Sequence, residues 1–308
     1  MRGMELPETG HDPVLIDEVL ELLGPGEGNA FVDCTLGRAG HALAVGRRMG
    51  ASGRLIGLDV DPRNLEFAGE RLKEAPCEVR LFHANFAELG DVLEEVGVSG
   101  GVDGILADLG ISTNQLFEAH YGMSFSVDMP LDMRIDPRID RTAADLVNTM
   151  REEDLANVLY ELADERFSRR IARKIADGRR QAPITTTERL ADLVRQAVPS
   201  RGSKHDKIDP ATRTFMALRM AVNREVENLR ALLERAPKHL KPGGRFAVIS
   251  FHSTEDRMVK QAFRSAEQTG GLIAILTKRP LSPTDDEVAR NPRSRSAKLR
   301  VAERLRQT

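Results

Sequence analysis

The sequence predicts an α/β fold, with a mostly parallel sheet covered by helices on both faces and an inserted all-helical domain. Strand-like and helical runs alternate through the first 110 residues, which is typical of right-handed βαβ units. The alternation then stops, and a helical pattern fills residues 142–199. A strand-like run at 241–251 restores the sheet pattern. The helical segment is therefore predicted to interrupt a single sheet domain.

Short apolar runs predict the strands and amphipathic stripes predict the helices. In the first part, strands are predicted at 30–36, 54–59, 79–83 and 102–108, and helices at 14–23, 40–49 and from Pro62 to about Lys73. In the later part, helices are predicted at 152–163, 166–177, 186–198 and from about Pro210 to Ala236, and strands at 241–251, 272–277 and 297–303. Thr185 and Glu188 form a candidate capping box for the helix at 186–198.

Composition excludes several classes of protein. The 308 residues are 41% hydrophobic and 30% charged, which fits a globular protein and argues against disorder. No apolar run approaches the roughly 18–20 residues of a membrane span, and the first residues lack a signal-peptide pattern. Cys34 and Cys77 form no CxxC pair, and the seven histidines show no HxxxH or HExxH spacing. We therefore expect a cytoplasmic protein with no membrane partner and no metal.

The near-neutral net charge hides a division between the two parts of the chain. Residues 1–163 carry 13 Lys and Arg against 30 Asp and Glu, whereas residues 164–308 carry 32 against 17. Such a division indicates a nucleic-acid-facing surface in the later part. Helix faces that simply differ in charge explain it equally well at this point.

The candidate ligand site follows the predicted strands, because ligands of open parallel sheets bind beyond the carboxyl ends. Gly37 and Gly40 form a glycine turn after the first strand, where the backbone can approach a ligand. Asp59 ends the second strand and can accept hydrogen bonds from both hydroxyls of an adenosine ribose. An ordinary turn and a helix cap are the alternatives. Without a Walker motif, the pattern favours an adenosine cofactor over a phosphate-rich one.

Two further positions extend this site. Phe86, after the third strand, can lie against a purine ring, or can belong to the core. Asp108 ends the fourth strand, with Gln115 beyond it. The Asp108 carboxylate can reach a cofactor amine or the reacting group, or can cap the following turn.

Six ordered motifs give the sequence a specific resemblance. They are Gly37-Arg38-Ala39-Gly40-His41, Asp108-Leu109-Gly110-Ile111-Ser112, Pro130-Leu131-Asp132-Met133-Arg134, Pro210-Ala211-Thr212-Arg213-Thr214-Phe215, Ile249-Ser250-Phe251-His252-Ser253 with Glu255-Asp256-Arg257, and Asn291-Pro292-Arg293-Ser294-Arg295-Ser296. Together they resemble the ribosomal RNA small-subunit methyltransferase H (RsmH/MraW) family, from His11 to about Arg304. Ala39 stands where the family often has glycine, and Asp128-Met129-Pro130 replaces the usual Asp-Gly-Pro.

The resemblance implies a class I methyltransferase (Rossmann-like) fold with a seven-stranded sheet. It divides the chain into a methyltransferase domain, 1–114 with 216–308, and an inserted substrate-recognition domain, 115–215. It also implies methyl transfer from S-adenosylmethionine to the exocyclic N4 amine of a cytidine in 16S ribosomal RNA, near the decoding centre. The family's cofactor-binding positions fall on Ala39, Gly40, His41, Asp59, Phe86, Asp108 and Gln115.

The group that activates the cytidine amine is left open by the sequence. Asp108 lies where amino methyltransferases commonly place a hydrogen-bond acceptor, although it can also serve only the cofactor. Asp132 and His252 are the other catalytic candidates, with helix-cap or core roles as alternatives.

Two clusters of cations are candidates for contact with RNA phosphates. The first lies in the insertion and contains Arg166, Arg169, Arg170, Arg173 and Lys174; the second lies near the C-terminal end and contains Arg293, Arg295 and Lys298. A solvated helix face is the alternative for the first. The expected partner is 16S ribosomal RNA or the small ribosomal subunit, and a homodimer is a further expectation.

Two competing functions belong to other classes. A nicotinamide oxidoreductase would have the same pattern, a strand followed by a glycine turn and an acid at the end of the next strand. The sequence lacks the GxGxxG motif of that class. A non-catalytic RNA-binding protein on a methyltransferase fold would fit the charge division, but the chemically intact cofactor positions disfavour it.

Overall fold

The computed structural model describes residues 13–98, 100–199 and 209–306. The chain divides into two compact units, Met1–Gly110 with Val226–Thr308, and Ile111–Glu225. The first division lies four residues before the predicted boundary at 114/115. The second lies ten residues after the predicted boundary at 215/216, because the helix Ala211–Val222 belongs wholly to the second unit. The basic stretch at 201–207 lies outside the described residues.

Within the described residues of the first unit, seven strands form one sheet in the order β3-β2-β1-β4-β5-β7-β6. The strands are β1 Ala30–Asp33, β2 Arg54–Asp59, β3 Glu78–His83, β4 Val102–Asp108, β5 Leu240–Ser250, β6 Ile273–Ile275 and β7 Lys298–Arg304. Strands β1 to β5 pair in parallel, and β7 runs antiparallel to both β5 and β6. The predicted α/β class with a mostly parallel seven-stranded sheet is confirmed.

The helices, numbered along the whole chain, differ in where they pack. In chain order they are α1 Ile16–Leu23, α2 Gly40–Met49, α3 Pro62–Arg71, α4 Leu89–Val96, α5 Thr113–Phe117, α6 Ala143–Thr149, α7 Glu152–Ala163, α8 Ser168–Gln181, α9 Thr187–Ala197, α10 Ala211–Val222, α11 Glu225–Arg235, α12 Ser253–Gly270 and α13 Asp285–Arg290. In the first unit, one apolar cluster joins the sheet to α4, α11 and α12, and another joins it to α1, α2 and α3. The sheet is therefore covered on both faces, as predicted. None of the helices in the described residues is both long and apolar enough to cross a membrane.

A glycine sets the spacing at the centre of the sheet. In the register of β1 and β4, Phe31 lies opposite Gly104. A methyl group at Gly104 would lie 2.0 Å from Cζ of Phe31, so only glycine leaves room for this ring. The buried Phe31 thus anchors β1, whose carboxyl end carries Asp33.

The second unit contains α6 to α10 around its own apolar core. Helix α7 has the predicted bounds, whereas α8 begins at Ser168 rather than residue 166. The predicted Thr185–Glu188 capping box is wrong. Helix α9 begins at Thr187, and Thr186 caps it by accepting a hydrogen bond from the Arg189 amide. The Thr185 carbonyl accepts one from the Leu131 amide.

The predicted single helix from about Pro210 to Ala236 is two helices. Arg224, between α10 and α11, has a φ of +51°, which ends a right-handed helix. The amide of Asn223 explains the break: its Oδ1 accepts from the Ile135 amide at 2.9 Å, and its Nδ2 donates to the Met133 carbonyl at 2.7 Å. These contacts with a distant segment are invisible to a local helical pattern.

Candidate active site

Three acidic side chains meet at one edge of the sheet. Asp33, Asp59 and Asp108 end β1, β2 and β4. These strands are parallel neighbours, so their carboxyl ends share an edge. Asp33 and Asp59 are buried, with 4% and 8% exposure, and the Asp108 side chain is one quarter exposed. Asp33, Asp59 and Asp108 therefore lie together at this edge within the first unit.

The glycine turn after β1 adopts a conformation that favours small residues. Gly37 and Ala39 have φ values of +51° and +59°, and α2 begins at Gly40. A methyl group at Gly40 would lie 3.2 Å from Cβ of Pro13, which makes this approach tight. Ala39 accepts the left-handed conformation at a cost of about 1–2 kcal/mol. The position where the family often has glycine therefore keeps a glycine-like backbone.

Asp59 holds this turn in place. Its Oδ2 accepts hydrogen bonds from the Gly37 amide at 2.7 Å and from Nδ2 of Asn64 at 3.3 Å, and its Oδ1 accepts from the Asp61 amide at 2.8 Å. Burial raises the pKa of Asp59 to about 6, although these hydrogen bonds oppose the shift. Since a carboxylate has about four acceptor positions, Asp59 retains capacity for a ligand hydroxyl. Its ribose-binding role stays a prediction.

His41 is held as a neutral ring of defined tautomer. Its Nε2 lies 2.8 Å from the Val14 carbonyl oxygen, which only accepts hydrogen bonds, so Nε2 carries the proton. Burial lowers the pKa of His41 to about 4, and the ring is therefore neutral near pH 7 with a lone pair on Nδ1. That nitrogen lies 3.7 Å from Oδ2 of Asp108, too far for a hydrogen bond.

The surroundings of Asp108 disfavour its charged form. Burial, followed by the charges of Asp33 and Glu255, raises its pKa well above the ordinary value. The lone pair on Nδ1 of His41 also disfavours a negative charge at Oδ2. The Thr35 hydroxyl accepts a hydrogen bond from the Asp108 amide at 2.6 Å, which fixes the backbone here. Oδ1 of Asp108 is buried and has no partner within the described residues, so it is available to a ligand.

His252 is the N-cap residue of α12. Its Nε2 lies 3.0 Å from Oε1 of the buried Glu255, whose Oε2 accepts a hydrogen bond from the Phe251 amide at 2.9 Å. His252 thus occupies a helix-cap position, which is the alternative to a catalytic role. Its catalytic role stays a prediction. The motif did not identify Glu255 as a site residue, although its spacing from His252 matches the x-x-Glu of a capping box.

Two predicted site residues lie in the second unit rather than the first. Asp132 forms a bidentate pair with Arg134, in which Oδ1 lies 2.8 Å from Nε and Oδ2 lies 2.8 Å from Nη2. Gln115 is buried, and its Oε1 accepts a hydrogen bond from the Ser112 amide at 3.0 Å. Both side chains therefore stabilise local structure, and their roles in catalysis and cofactor binding stay predictions.

Phe86 follows β3 and begins a short 3-10 turn, Phe86–Glu88. Its ring is partly buried and packs against the core formed with α4, α11 and α12. Part of the Phe86 ring therefore belongs to the core, which is the alternative role for this residue. Contact of the ring with a purine stays a prediction.

The insertion cluster forms one basic helix face. Arg166, just before α8, and the side chains of Arg169, Arg170 and Arg173 on α8 are exposed. Lys174 is half-buried, and Nε of Arg173 lies 3.6 Å from Oε1 of Glu152. The opposite face of α8 is buried in the core of the second unit. The exposed arginines therefore lie on one side of the helix, as a phosphate-binding surface requires. The alternative, an ordinary solvated helix face, stays open.

The C-terminal cluster is more heterogeneous. Arg295 is exposed, and burial lowers the pKa of Arg293. Nζ of Lys298 lies 3.5 Å from Oδ2 of Asp256. Lys298 is thus partly neutralised within the protein, and RNA contact by these three residues stays a prediction.

Replacing Asp33 with asparagine should stabilise the ligand-free protein above neutral pH. Burial raises the pKa of Asp33 to about 7, so the folded state binds its proton more tightly than the unfolded state. Below about pH 4, Asp33 is protonated in both states and does not change the free energy of unfolding. As the pH rises to about 7, Asp33 lowers the free energy of unfolding by an increasing amount. The amide can still accept the Thr35 amide hydrogen bond, seen at 3.1 Å.

Urea unfolding of Asp33→Asn at about pH 8 should show a free energy of unfolding on the order of 1–4 kcal/mol above that of the wild type, and no gain at about pH 4. Glu66→Gln, at an exposed position of α3, is the control and should change stability by less than about 0.5 kcal/mol. A pH-independent effect of Asp33→Asn would contradict the predicted protonation of Asp33.

Comparison with known proteins identifies the family of this chain. The model of the MraW methylase family matches residues 8–305. A protein of Geobacter sulfurreducens named ribosomal RNA small subunit methyltransferase H is 48% identical over 96% of this chain and 99% of its own length. The protein of the same name in Acidobacterium capsulatum is 46% identical over 96% of this chain and 98% of its own length. The methyltransferase class and the resemblance are thereby confirmed, and the chain belongs to the MraW methylase family.

Proposed function

We propose that this chain methylates the exocyclic N4 amine of a cytidine in 16S ribosomal RNA, near the decoding centre. Membership of the methylase family, matched over residues 8–305, carries the methyl-transfer activity, with S-adenosylmethionine as the donor. Relatives similar over nearly the whole chain are named for the RNA of the small ribosomal subunit, which supports that RNA as the substrate. The cytidine N4 atom as the methyl acceptor is a more specific proposal, because the names of the relatives do not state the methylated atom.

The acidic edge of the sheet fits a cationic cofactor. S-adenosylmethionine supplies an electrophilic methyl group on a sulfonium, and it also carries an amino group. Asp33 and Asp108 are raised-pKa carboxyls in the first unit, and Oδ1 of Asp108 is a buried acceptor without a partner in the described residues. A bound cation would favour ionisation of both groups. We therefore assign cofactor binding to this edge, together with the turn that Asp59 holds.

Asp108 is the best-supported candidate for contact with the reacting amine. The lone pair of an exocyclic cytosine amine is delocalised into the ring, so an acceptor for one of its hydrogens helps to localise that pair on nitrogen. Oδ1 of Asp108 is such an acceptor in either protonation state of the carboxyl group. The other candidates already have charged partners, namely the guanidinium of Arg134 for Asp132 and the carboxylate of Glu255 for His252.

The basic face of α8 is proposed to hold the RNA backbone. Arg169, Arg170 and Arg173 present guanidinium groups to solvent on one side of this helix. Such groups bind phosphates without reading base sequence, so the choice of cytidine must come from elsewhere in the site. Binding of this kind is expected to weaken steeply with salt.

Transfer of label from tritiated S-adenosylmethionine to small ribosomal subunits tests the proposal. The subunits should come from cells that lack this protein, and subunits from cells that contain it serve as the control. We expect label in cytidine with the first substrate and little with the second, because the target is already methylated there. Absence of label in cytidine would contradict the proposal and favour a non-catalytic RNA-binding protein.

A further inference from the structure

A basic cleft lies between α12 and the last two strands of the first unit. It has a volume of about 370 Å³, and Phe263 and Ile275 contribute apolar surface to its lining. The polar lining comprises Lys260, Arg264, Glu267 and Gln268 from α12, Thr277 and Lys278 from the chain after β6, and Arg300 from β7. None of Arg293, Arg295 and Lys298 lines this cleft.

The spacing of the cations suits a polymer with repeated charges. Lys260, Arg264 and Gln268 follow one another at four-residue intervals, which places them along one face of α12. Successive members are about 6 Å apart along the helix axis. Lys278 adds a cation from the part of the lining that follows β6. The cleft therefore presents several cations in a row rather than a single positively charged site. We call this row, Lys260, Arg264 and Lys278, the track.

The positive charge of this track is not neutralised by the protein itself. In the described part of the chain, Lys260, Arg264 and Lys278 are exposed and take part in no ion pair or hydrogen bond. The acid in the lining, Glu267, accepts a hydrogen bond from the Ile275 amide at 2.9 Å. Nε of Arg300 donates to Oδ1 of Asp256 at 2.7 Å. Among the residues that the structure describes, the lining thus holds three unpaired cations and one acid.

The Arg300 end of the cleft lies towards the acidic edge of the same unit. Arg300 is in register with Val248, two residues before the end of β5, which corresponds to about 7 Å. Its partner Asp256 directly follows Glu255, whose charge raises the pKa of Asp108. A strand whose target nucleotide reaches this edge would therefore carry its neighbouring phosphates towards the cleft.

We propose that this cleft binds the phosphate backbone of the RNA strand beside the target nucleotide. The inference rests on the proposed function, since it assumes that RNA is the substrate. Phosphate is the anion that Lys and Arg bind both as point charges and through guanidinium hydrogen bonds. Contacts of this kind fix the register of a strand without reading its bases. The cleft would thus position the RNA, and the acidic edge would act on one nucleotide.

The test compares two triple variants that remove the same charge. The cleft variant is Lys260→Gln, Arg264→Gln and Lys278→Gln. The control variant is Arg48→Gln, Arg230→Gln and Lys238→Gln, at exposed positions of the same unit outside the cleft. Binding of a 16S ribosomal RNA fragment is measured by fluorescence anisotropy across a series of KCl concentrations. Binding of S-adenosylmethionine is measured by calorimetry.

The cleft variant should bind the RNA at least about 10-fold more weakly than the control variant. Its plot of log affinity against log salt should be shallower by about 2, since a single-stranded phosphate contact contributes about 0.7. Affinity for S-adenosylmethionine should stay within about twofold of the wild type, and methylation of small subunits should show a raised KM with kcat little changed.

Equal RNA affinity and equal salt slopes in the two variants would overturn the proposal. A cleft variant that keeps its RNA affinity but loses binding to phosphatidylglycerol vesicles would overturn it as well, in favour of a lipid surface. Failure of the proposed function looks different, because the wild-type protein would then place no label in cytidine. Wild-type labelling with indistinguishable variants would contradict the cleft alone.

Discussion

Replacing Asp108 with alanine should lower kcat/KM for methyl transfer by about 100-fold or more. The substitution removes Oδ1, the buried acceptor that has no partner in the described residues. It also leaves Nδ1 of His41 facing an empty space where Oδ2 had been at 3.7 Å. Single-turnover kinetics with saturating S-adenosylmethionine would separate this loss from weaker cofactor binding.

Asp108→Asn is the matched control, because the amide has nearly the shape of the protonated acid. Its Nδ2 can face the lone pair on Nδ1 of His41 while its Oδ1 keeps the acceptor position. We expect this variant to retain activity within about 10-fold of the wild type. Wild-type activity in Asp108→Ala would contradict the assigned role of Asp108. An Asp108→Asn variant as inactive as Asp108→Ala would show that the ionised carboxylate is required.

Replacing Asp59 with alanine should weaken binding of S-adenosylmethionine by roughly 10- to 150-fold, since one lost charge-assisted hydrogen bond is worth about 1.5–3 kcal/mol. Two effects contribute. The Gly37 and Asp61 amides lose their acceptor at 2.7 and 2.8 Å, so the turn before α2 loses its anchor. The predicted acceptor for the ribose hydroxyls is lost as well. Isothermal titration calorimetry measures the affinity directly.

Asp61→Ala controls for damage to the neighbouring helix. Asp61 is also buried and caps α3 by accepting from the Arg63 amide at 3.1 Å, whereas the Gly37 amide of the glycine turn donates to Asp59. Thermal unfolding of both variants would identify a loss of fold. Folded Asp59→Ala protein that binds S-adenosylmethionine as tightly as the wild type would contradict both assigned roles of Asp59.

Much of the sheet could be predicted because its central strands are short apolar runs that end at polar residues. Asp59 and Asp108 end their strands as predicted, and parallel pairing brings such ends to one edge. The first predicted strand, 30–36, ends earlier at Asp33, because the chain turns towards Gly37. Local patterns thus located the acidic edge well, although they overestimated the length of its first strand.

Features that depend on distant segments could not be predicted in this way. The break at Asn223 depends on hydrogen bonds with Met133 and Ile135, about 90 residues away in sequence. Asp132 and Arg134 are only two residues apart, but their pairing accompanies a backbone turn at Met133, with a φ of +66°, that no apolar pattern indicates. Family motifs identified Asp132 and His252 as candidates, but only the structure shows the acidic or basic partners already beside them.

The position of the transferred methyl group is the most direct test of the whole account. Small subunits lacking the modification are incubated with the protein and labelled S-adenosylmethionine, and the 16S ribosomal RNA is digested to nucleosides. Chromatography with mass spectrometry then separates N4-methylcytidine from 5-methylcytidine and from 2′-O-methylcytidine. The account predicts label in N4-methylcytidine. Label in either of the other isomers, or in no cytidine at all, would contradict it.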